Sequence, residues 1–168
     1  MKAIKLETLT NLGIIALCVV ACLALVQRMR AGDGQPPKVA QGDVIENLAP
    51  HLPAGAKRAL VVALSPDCGY CTRSMPFYKR LLTARHEANV PIIAVVHNEE
   101  ELVAERAVMV TQDIAFDRVV PVDFLASKVT MTPLLMLVDR EAKVLRLWTG
   151  QLKPEAEAEV LAVLGSEA

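Results

Sequence analysis

Read from the amino terminus, the hydropathy pattern begins with a run free of charge from Leu9 to Val26, bounded by Lys2, Lys5 and Glu7 before it and by Arg28 and Arg30 after it. A helix rises about 1.5 Å per residue and needs roughly 20 apolar residues to cross a bilayer, so this run predicts one membrane span, with Leu6 and Gln27 at the interfaces. Two other readings stay open. A cleaved secretory signal would have a shorter apolar part, and Arg28-Met29-Arg30 is a poor cleavage region. Val19-Val20-Ala21-Cys22 resembles a bacterial lipoprotein box, but the apolar run Leu23 to Val26 stands where a polar tether is expected.

Residues 31 to 42 are rich in Gly, Pro and polar side chains and predict a tether. Residues 43 to 56 hold short apolar pieces, Val44-Ile45 and Leu48, broken by Pro50 and Pro53, which predicts an irregular approach or a small edge element. From Arg58 the pattern becomes regular. Ala59 to Leu64 is an apolar, β-branched run ending at Ser65-Pro66-Asp67, the signature of a buried strand. A helix follows from the cysteines at 68 and 71, with Met75, Tyr78, Leu81 and Leu82 on one stripe, Lys79 and Arg80 toward water, and a kink at Pro76.

Val90 to Val96 predicts a second buried strand. Glu99 to Val110 predicts a helix with three acids at its positive end and an apolar face of Leu102, Val103, Ala107 and Val110. Strands alternating with helices imply parallel pairing through crossovers. After a less regular region, Leu134–Val138 and Val144–Trp148 flank a connection over 139–143 and read as a hairpin. A final helix runs from Pro154 to Leu164 and stops at Gly165. The expected organisation is an anchor over 1–30, a linker and approach segment over 31–55, and one α/β domain over 56–168.

Composition narrows the partners. With 168 residues, 53% apolar and 22% charged, the chain has room for one domain plus accessories. A net charge of -1 gives no broad basic surface, so nucleic acid is not an expected partner. Two lysines before the span and two arginines after it leave the positive-inside bias nearly balanced. The expected orientation has the amino terminus inside and the globular part outside, because single anchors near the start commonly export the rest of the chain.

Cys68-Gly69-Tyr70-Cys71 is the candidate chemistry. Two cysteines about one turn apart at a helix start can close a small disulfide ring. Cys68, where the helix dipole and unpaired N–H groups favour thiolate, is the candidate nucleophile, and Cys71 the resolving thiol. A stable bridge and half of a zinc site remain the alternatives. Zinc wants four ligands, and His51, His86 and His97 are scattered, so no metal site is expected. Cys18 and Cys22 share a face inside the apolar run and read as membrane packing. Thr132-Pro133, just before the hairpin, needs a positional reason, because a proline entering a buried strand removes a ladder hydrogen bond. A trans loop proline and a cis bond both remain open at this level.

Ser65-Pro66-Asp67-Cys68-Gly69-Tyr70-Cys71, the kinking Pro76, and Thr132-Pro133 before a terminal hairpin and helix together resemble the thioredoxin-like superfamily, over roughly Ala56 to the carboxyl end. The anchored single domain looks like TlpA-like and ResA-like extracytoplasmic reductases, and Cys-Gly-Tyr-Cys after Pro-Asp looks like bacterial disulfide isomerases. The resemblance implies a central mixed sheet flanked by helices, Cys68 as attacking thiol, Cys71 as resolving thiol, and a cis Thr132-Pro133 loop facing them. Gly69, Tyr70, Thr132 and Pro133 would then form the substrate-facing surface. Asp67 stands where thioredoxins often carry tryptophan, and it is expected to face solvent or cap the helix.

The function implied is thiol-disulfide oxidoreduction on cysteines of exported proteins, with reduction the expected direction and no bound cofactor. The chain would sit in the inner membrane by one pass through residues 9–26, its domain outside the cytoplasm, and a separate membrane protein would reset the cysteine pair. The alternative is an anchored copper chaperone of the same fold, with Met75, Met109, Met131 and the cysteines as soft Cu(I) ligands, although such chaperones usually space their cysteines differently. A peroxiredoxin-type peroxidase is disfavoured, since Ser65 stands where its threonine belongs.

Overall fold

The computed structural model describes residues 11, 13–24, 38–88 and 90–165, and divides into two compact units, Met1–Pro36 and Pro37–Ala168. In the first unit, residues 13–24 form a helix, α1, in which Ile14, Leu17, Val20 and Leu23 are exposed. Leu9, Thr10, Leu12, Leu25 and Val26 of the expected span lie outside the described residues. Among the described residues no helix is long and apolar enough to cross a membrane. Cys18 and Cys22 on α1 are free and exposed.

The second unit contains strands β1 (Arg58–Ala63), β2 (Ile92–Val96), β3 (Arg118–Pro121), β4 (Leu134–Asp139) and β5 (Val144–Thr149). Its helices are α2 (Gly69–Arg73), α3 (Met75–Ala88), α4 (Glu99–Thr111) and α5 (Pro154–Gly165). The strands form one sheet in the order β3-β2-β1-β4-β5. β1–β2 and β2–β3 are parallel, whereas β1–β4 and β4–β5 are antiparallel, so the sheet is mixed as expected.

After Arg58, β1 is apolar because it is central and covered on both faces. Leu60 and Val62 belong to a core with Tyr78, Leu81, Leu102, Val160 and Leu164 from the helices. Ala59, Val61 and Ala63 face a second core that Val39, Ile45, Leu48, Val122 and Val129 complete. Part of the segment expected as linker and approach is therefore packed into the domain: residues 38–52 fold over one sheet face, with a short 3₁₀ turn at Ala49–His51. Val44 bridges Lys143, the residue just before β5, and the Val144 N–H donates to the Asp43 carbonyl at 2.8 Å.

The helical stretch after the cysteines is broken at Ser74. Pro76 has no N–H to offer the carbonyl four residues back. The Ser74 hydroxyl donates to the Tyr70 carbonyl at 2.9 Å, a bond that bends helices. The expected stripe of Met75, Tyr78 and Leu81 is buried, and Leu82 is half-buried.

Two elements differ from the sequence expectation. β3 lies in the region read as irregular: it is an edge strand, half-exposed and ending in Pro121, so neither hydropathy nor composition marks it. The apolar face assigned to α4 is also wrong in part. Leu102, Glu105 and Met109 point inward, while Val103, Ala107 and Val110 are exposed, Val110 to 82%. The inward stripe has an acid in its middle, and a hydropathy count passes over it.

Glu105 is 1% exposed, and its Oε1 has no hydrogen-bond partner; neither has the buried Tyr78 hydroxyl. Burial, and then the charge of Glu101 one turn away, pushes the Glu105 carboxyl up from 4.5 to about 7. Burial likewise raises Tyr78, and the Glu105 charge adds to it. The nearby Ser74 hydroxyl acts in the opposite sense, although its proton is directed to the Tyr70 carbonyl.

A carboxyl whose folded pKa is raised holds its proton in the folded state while the unfolded chain loses it, so stability falls as pH rises from 4.5 to about 7. The loss is on the order of 3 kcal/mol, comparable to burying one leucine. Glu105→Gln should flatten that dependence and be more stable than the parent at pH 8. Denaturant midpoints at pH 5 and pH 8 measure this, and an unchanged slope in the variant would refute it.

Candidate functional site

β1 ends at Ala63, opposite Leu134, the first residue of β4. That register sets the chain leaving β1 beside the chain entering β4, which is how residues 64 positions apart come to meet. After Ser65-Pro66-Asp67 the Cys68 N–H donates to the Ser65 carbonyl at 3.0 Å, closing a tight turn. Cys68 has extended backbone, φ -84 and ψ 99, and is the N-cap of α2. Its own sulfur does the capping, accepting the Cys71 N–H at 3.1 Å. Asp67 is exposed, as expected, and is not the cap.

Cys68 and Cys71 form a disulfide with their Cα atoms 5.2 Å apart. The two sulfurs are not equivalent. Cys71 is 1% exposed, whereas Cys68 is only partly buried. An N–H donated to Cys68 Sγ stabilises negative charge there in the reduced state. The carbonyl oxygen of Thr132 lies 3.3 Å from Cys68 Sγ. In the disulfide this is a contact, since the sulfur carries no proton; a reduced thiol could donate across it.

Thr132-Pro133 is cis, and the Pro133 carbonyl accepts the Gly150 N–H at 2.8 Å, which ties this loop to the end of β5. Tyr70 is 57% exposed and carries the Arg73 guanidinium 4.4 Å from its ring centroid. Arg73 in turn donates to Gln151 at 3.1 Å. Gly69 is exposed, and a Cβ there would meet only the tip of Arg73 at 3.5 Å, so the position does not require glycine. The structure thus gathers Cys68, Gly69, Tyr70 and Cys71 on one loop-helix junction and brings the Thr132 carbonyl to Cys68 Sγ.

Of the three methionines a Cu(I) site would draw on, Met75 and Met109 are buried in the core and Met131 is 46% exposed. Among the described residues no group of three or more His, Cys, Asp or Glu side chains is arranged to hold a metal. A cavity of about 490 Å³ opens at the far ends of β1 and β2, beside Pro53, Arg85 and Asp117. Its two charged side chains pair with each other at 2.9 Å, and Asp117 also accepts the Ile92 N–H at 2.7 Å.

Sequence reasoning missed a smaller groove beside the cysteines, about 270 Å³, lined by Ser65, His97, Glu101, Phe124, Met131 and Thr132 among others. A signal was present. His97 follows β2 directly, and in sheets with parallel strands ligands bind beyond the carboxyl ends of the strands.

No protein-family model and no curated protein matches the sequence. Solved structures do match in fold. The thioredoxin domain of a thiol-disulfide oxidoreductase from Bacteroides vulgatus aligns at TM-score 0.56 and 14% identity, covering 77% of this chain and 100% of that one. A thiol-disulfide isomerase from Corynebacterium glutamicum aligns at 0.55 and 17%, covering 80% and 99%. A secreted disulfide oxidoreductase from Mycobacterium tuberculosis aligns at 0.52 and 13%, covering 64% and 81%. At these identities the likeness is one of fold.

The unequal burial of the two sulfurs has a chemical readout. After reduction, iodoacetamide should modify Cys68 at least ~10-fold faster than Cys71, followed by peptide mass mapping. Equal rates, or faster reaction at Cys71, would contradict the geometry.

Proposed function

We propose that this chain, whose fold is thioredoxin-like, is a thiol-disulfide oxidoreductase that exchanges its Cys68–Cys71 pair with cysteines of exported proteins, acting as a reductase. The observation that carries the reading is the asymmetry of the pair. Cys68 is partly accessible, accepts the Cys71 N–H and faces the Thr132 carbonyl, while Cys71 is buried behind it.

In the reduced enzyme the Cys68 thiolate attacks one sulfur of a substrate disulfide. A Cys68–substrate bond forms, and the other substrate sulfur leaves as a thiolate. Cys71, once deprotonated, attacks Cys68 Sγ, closing the Cys68–Cys71 disulfide and expelling the remaining substrate sulfur, which takes a proton from water. Two electrons pass from the pair to the substrate. An extended substrate segment beside the sulfur would pair with backbone groups at the Thr132 loop. No bound cofactor enters the cycle.

The anchor is part of the proposal. The uncharged run from Leu9 to Val26 supports a single pass through the inner membrane with the domain outside the cytoplasm. A separate membrane protein would then re-reduce the pair, because that compartment has no soluble thioredoxin system.

In cells expressing full-length Cys71→Ala, mixed disulfides between Cys68 and exported proteins should accumulate in the membrane fraction and dissolve with reductant. Absence of any adduct would sink the exchange reading, and adducts confined to soluble cytoplasmic proteins would sink the anchored, exported placement. Direction is settled by the reduction potential. Equilibration with glutathione should give a value near or below roughly -250 mV, whereas one near -120 mV would make the protein an oxidant.

A further inference from the structure

The groove beside the cysteines has a chemistry of its own. Ser65 and Thr132, the residues whose carbonyls approach Cys68 at its N–H and at its sulfur, both line it, so a substrate chain held at Cys68 passes its mouth. Phe124, Val129 and Met131 supply apolar surface. The His97 ring packs against Phe124 with centroids 5.5 Å apart, and its Nδ1 accepts the Phe124 N–H at 3.3 Å. That bond fixes the ring as a wall and occupies its acceptor nitrogen.

Among the described residues Glu101 is the one Asp, Glu, Lys or Arg side chain lining the groove. Its Oε2 accepts the His97 N–H at 3.4 Å, and none of the described ion pairs includes it. The carboxylate therefore keeps acceptor capacity at the edge of an apolar channel. An acidic guest would be repelled there. An apolar guest would cover Glu101 and strip it of water without compensation. A long side chain with a methylene stem and a cationic head satisfies both parts, since such stems lie along apolar surface and guanidinium groups favour aromatic faces.

We propose that this groove is a specificity subsite for arginine or lysine adjoining the attacked cysteine of the substrate polypeptide, with the stem over Phe124 and Met131 and the cation at Glu101. The inference rests on the exchange reading above and names the substrate class that site prefers.

The test uses pre-reduced, full-length protein and two disulfide-bonded peptides identical except for arginine or glutamate next to the cysteine. At low salt the arginine peptide should be reduced roughly fivefold faster at subsaturating concentration, the difference lying in KM and not in kcat, as suits a partly exposed ion pair. Glu101→Gln should bring the ratio close to one, and Glu101→Lys should invert it. Glu100→Gln, an exposed position outside the groove, should keep the parent ratio. A ratio of one in the parent, or an unaltered preference in Glu101→Lys, overturns the subsite while exchange stands. Failure to reduce either peptide overturns the exchange reading, and the subsite with it.

Discussion

The antiparallel pairing of β1 with β4, Ala63 opposite Leu134, is the constraint on which the site depends. It joins two stretches far apart in sequence, the turn that delivers Cys68 and the loop that delivers Thr132. Strand pairing fixes register to a single residue, because a slip of one would send every side chain to the opposite face. Both faces of β1 are packed, one by helices and one by residues 38–52 and the loops around Val122 and Val129. A register slip would put Leu60 and Val62 where Ala59, Val61 and Ala63 now fit, and the two layers are not interchangeable. The 3.3 Å approach of Thr132 to the sulfur thus follows from core packing rather than from any contact at the site itself.

Around that frame the polar groups divide into the satisfied and the orphaned. At the cysteines several backbone donors have acceptors: Cys68 N–H to Ser65, Cys71 N–H to Cys68 Sγ, Ser74 N–H to Tyr70 and Cys71. On the inner faces of α3 and α4 the reverse holds, with Tyr78 and Glu105 each keeping an unpaired oxygen inside the core. A neutral Glu105 costs far less there than a charged one, which is why its proton is kept to a higher pH than that of an exposed carboxyl.

Much of this is legible in the sequence, and the reasons are specific. β1, β2 and β4 announce themselves because strands packed on both faces read as nearly unbroken apolar runs, and β5 follows from its alternating pattern one short connection after β4. The cysteine pair and Thr132-Pro133 stand out because both are chemically odd at their positions. β3 escapes because an edge strand needs few apolar residues and tolerates Pro121. The inner face of α4 is misread because burial of Glu105 breaks the pattern that a hydropathy count tracks, leaving Val103 and Val110 as the more apolar choice. Residues 38–52 read as tether and approach because their apolar residues are sparse, yet Val39, Ile45 and Leu48 join Val122 and Val129 in packing against the sheet face opposite α3, α4 and α5. The groove at His97 and Glu101 depends on three separate segments converging, and no local pattern encodes that.

The clasp of Asp43 and Val44 on β5 has a further consequence. A sheet with open margins is a template on which other extended chains can add, and the substrates proposed above would include such chains. Here one margin ends in Pro121, which has no amide hydrogen to offer, and the other is met at its start by the chain's own residues 42–44. Extended chains are thereby discouraged from the sheet's flanks, in keeping with the loop surface beside Cys68 that is proposed above as their site.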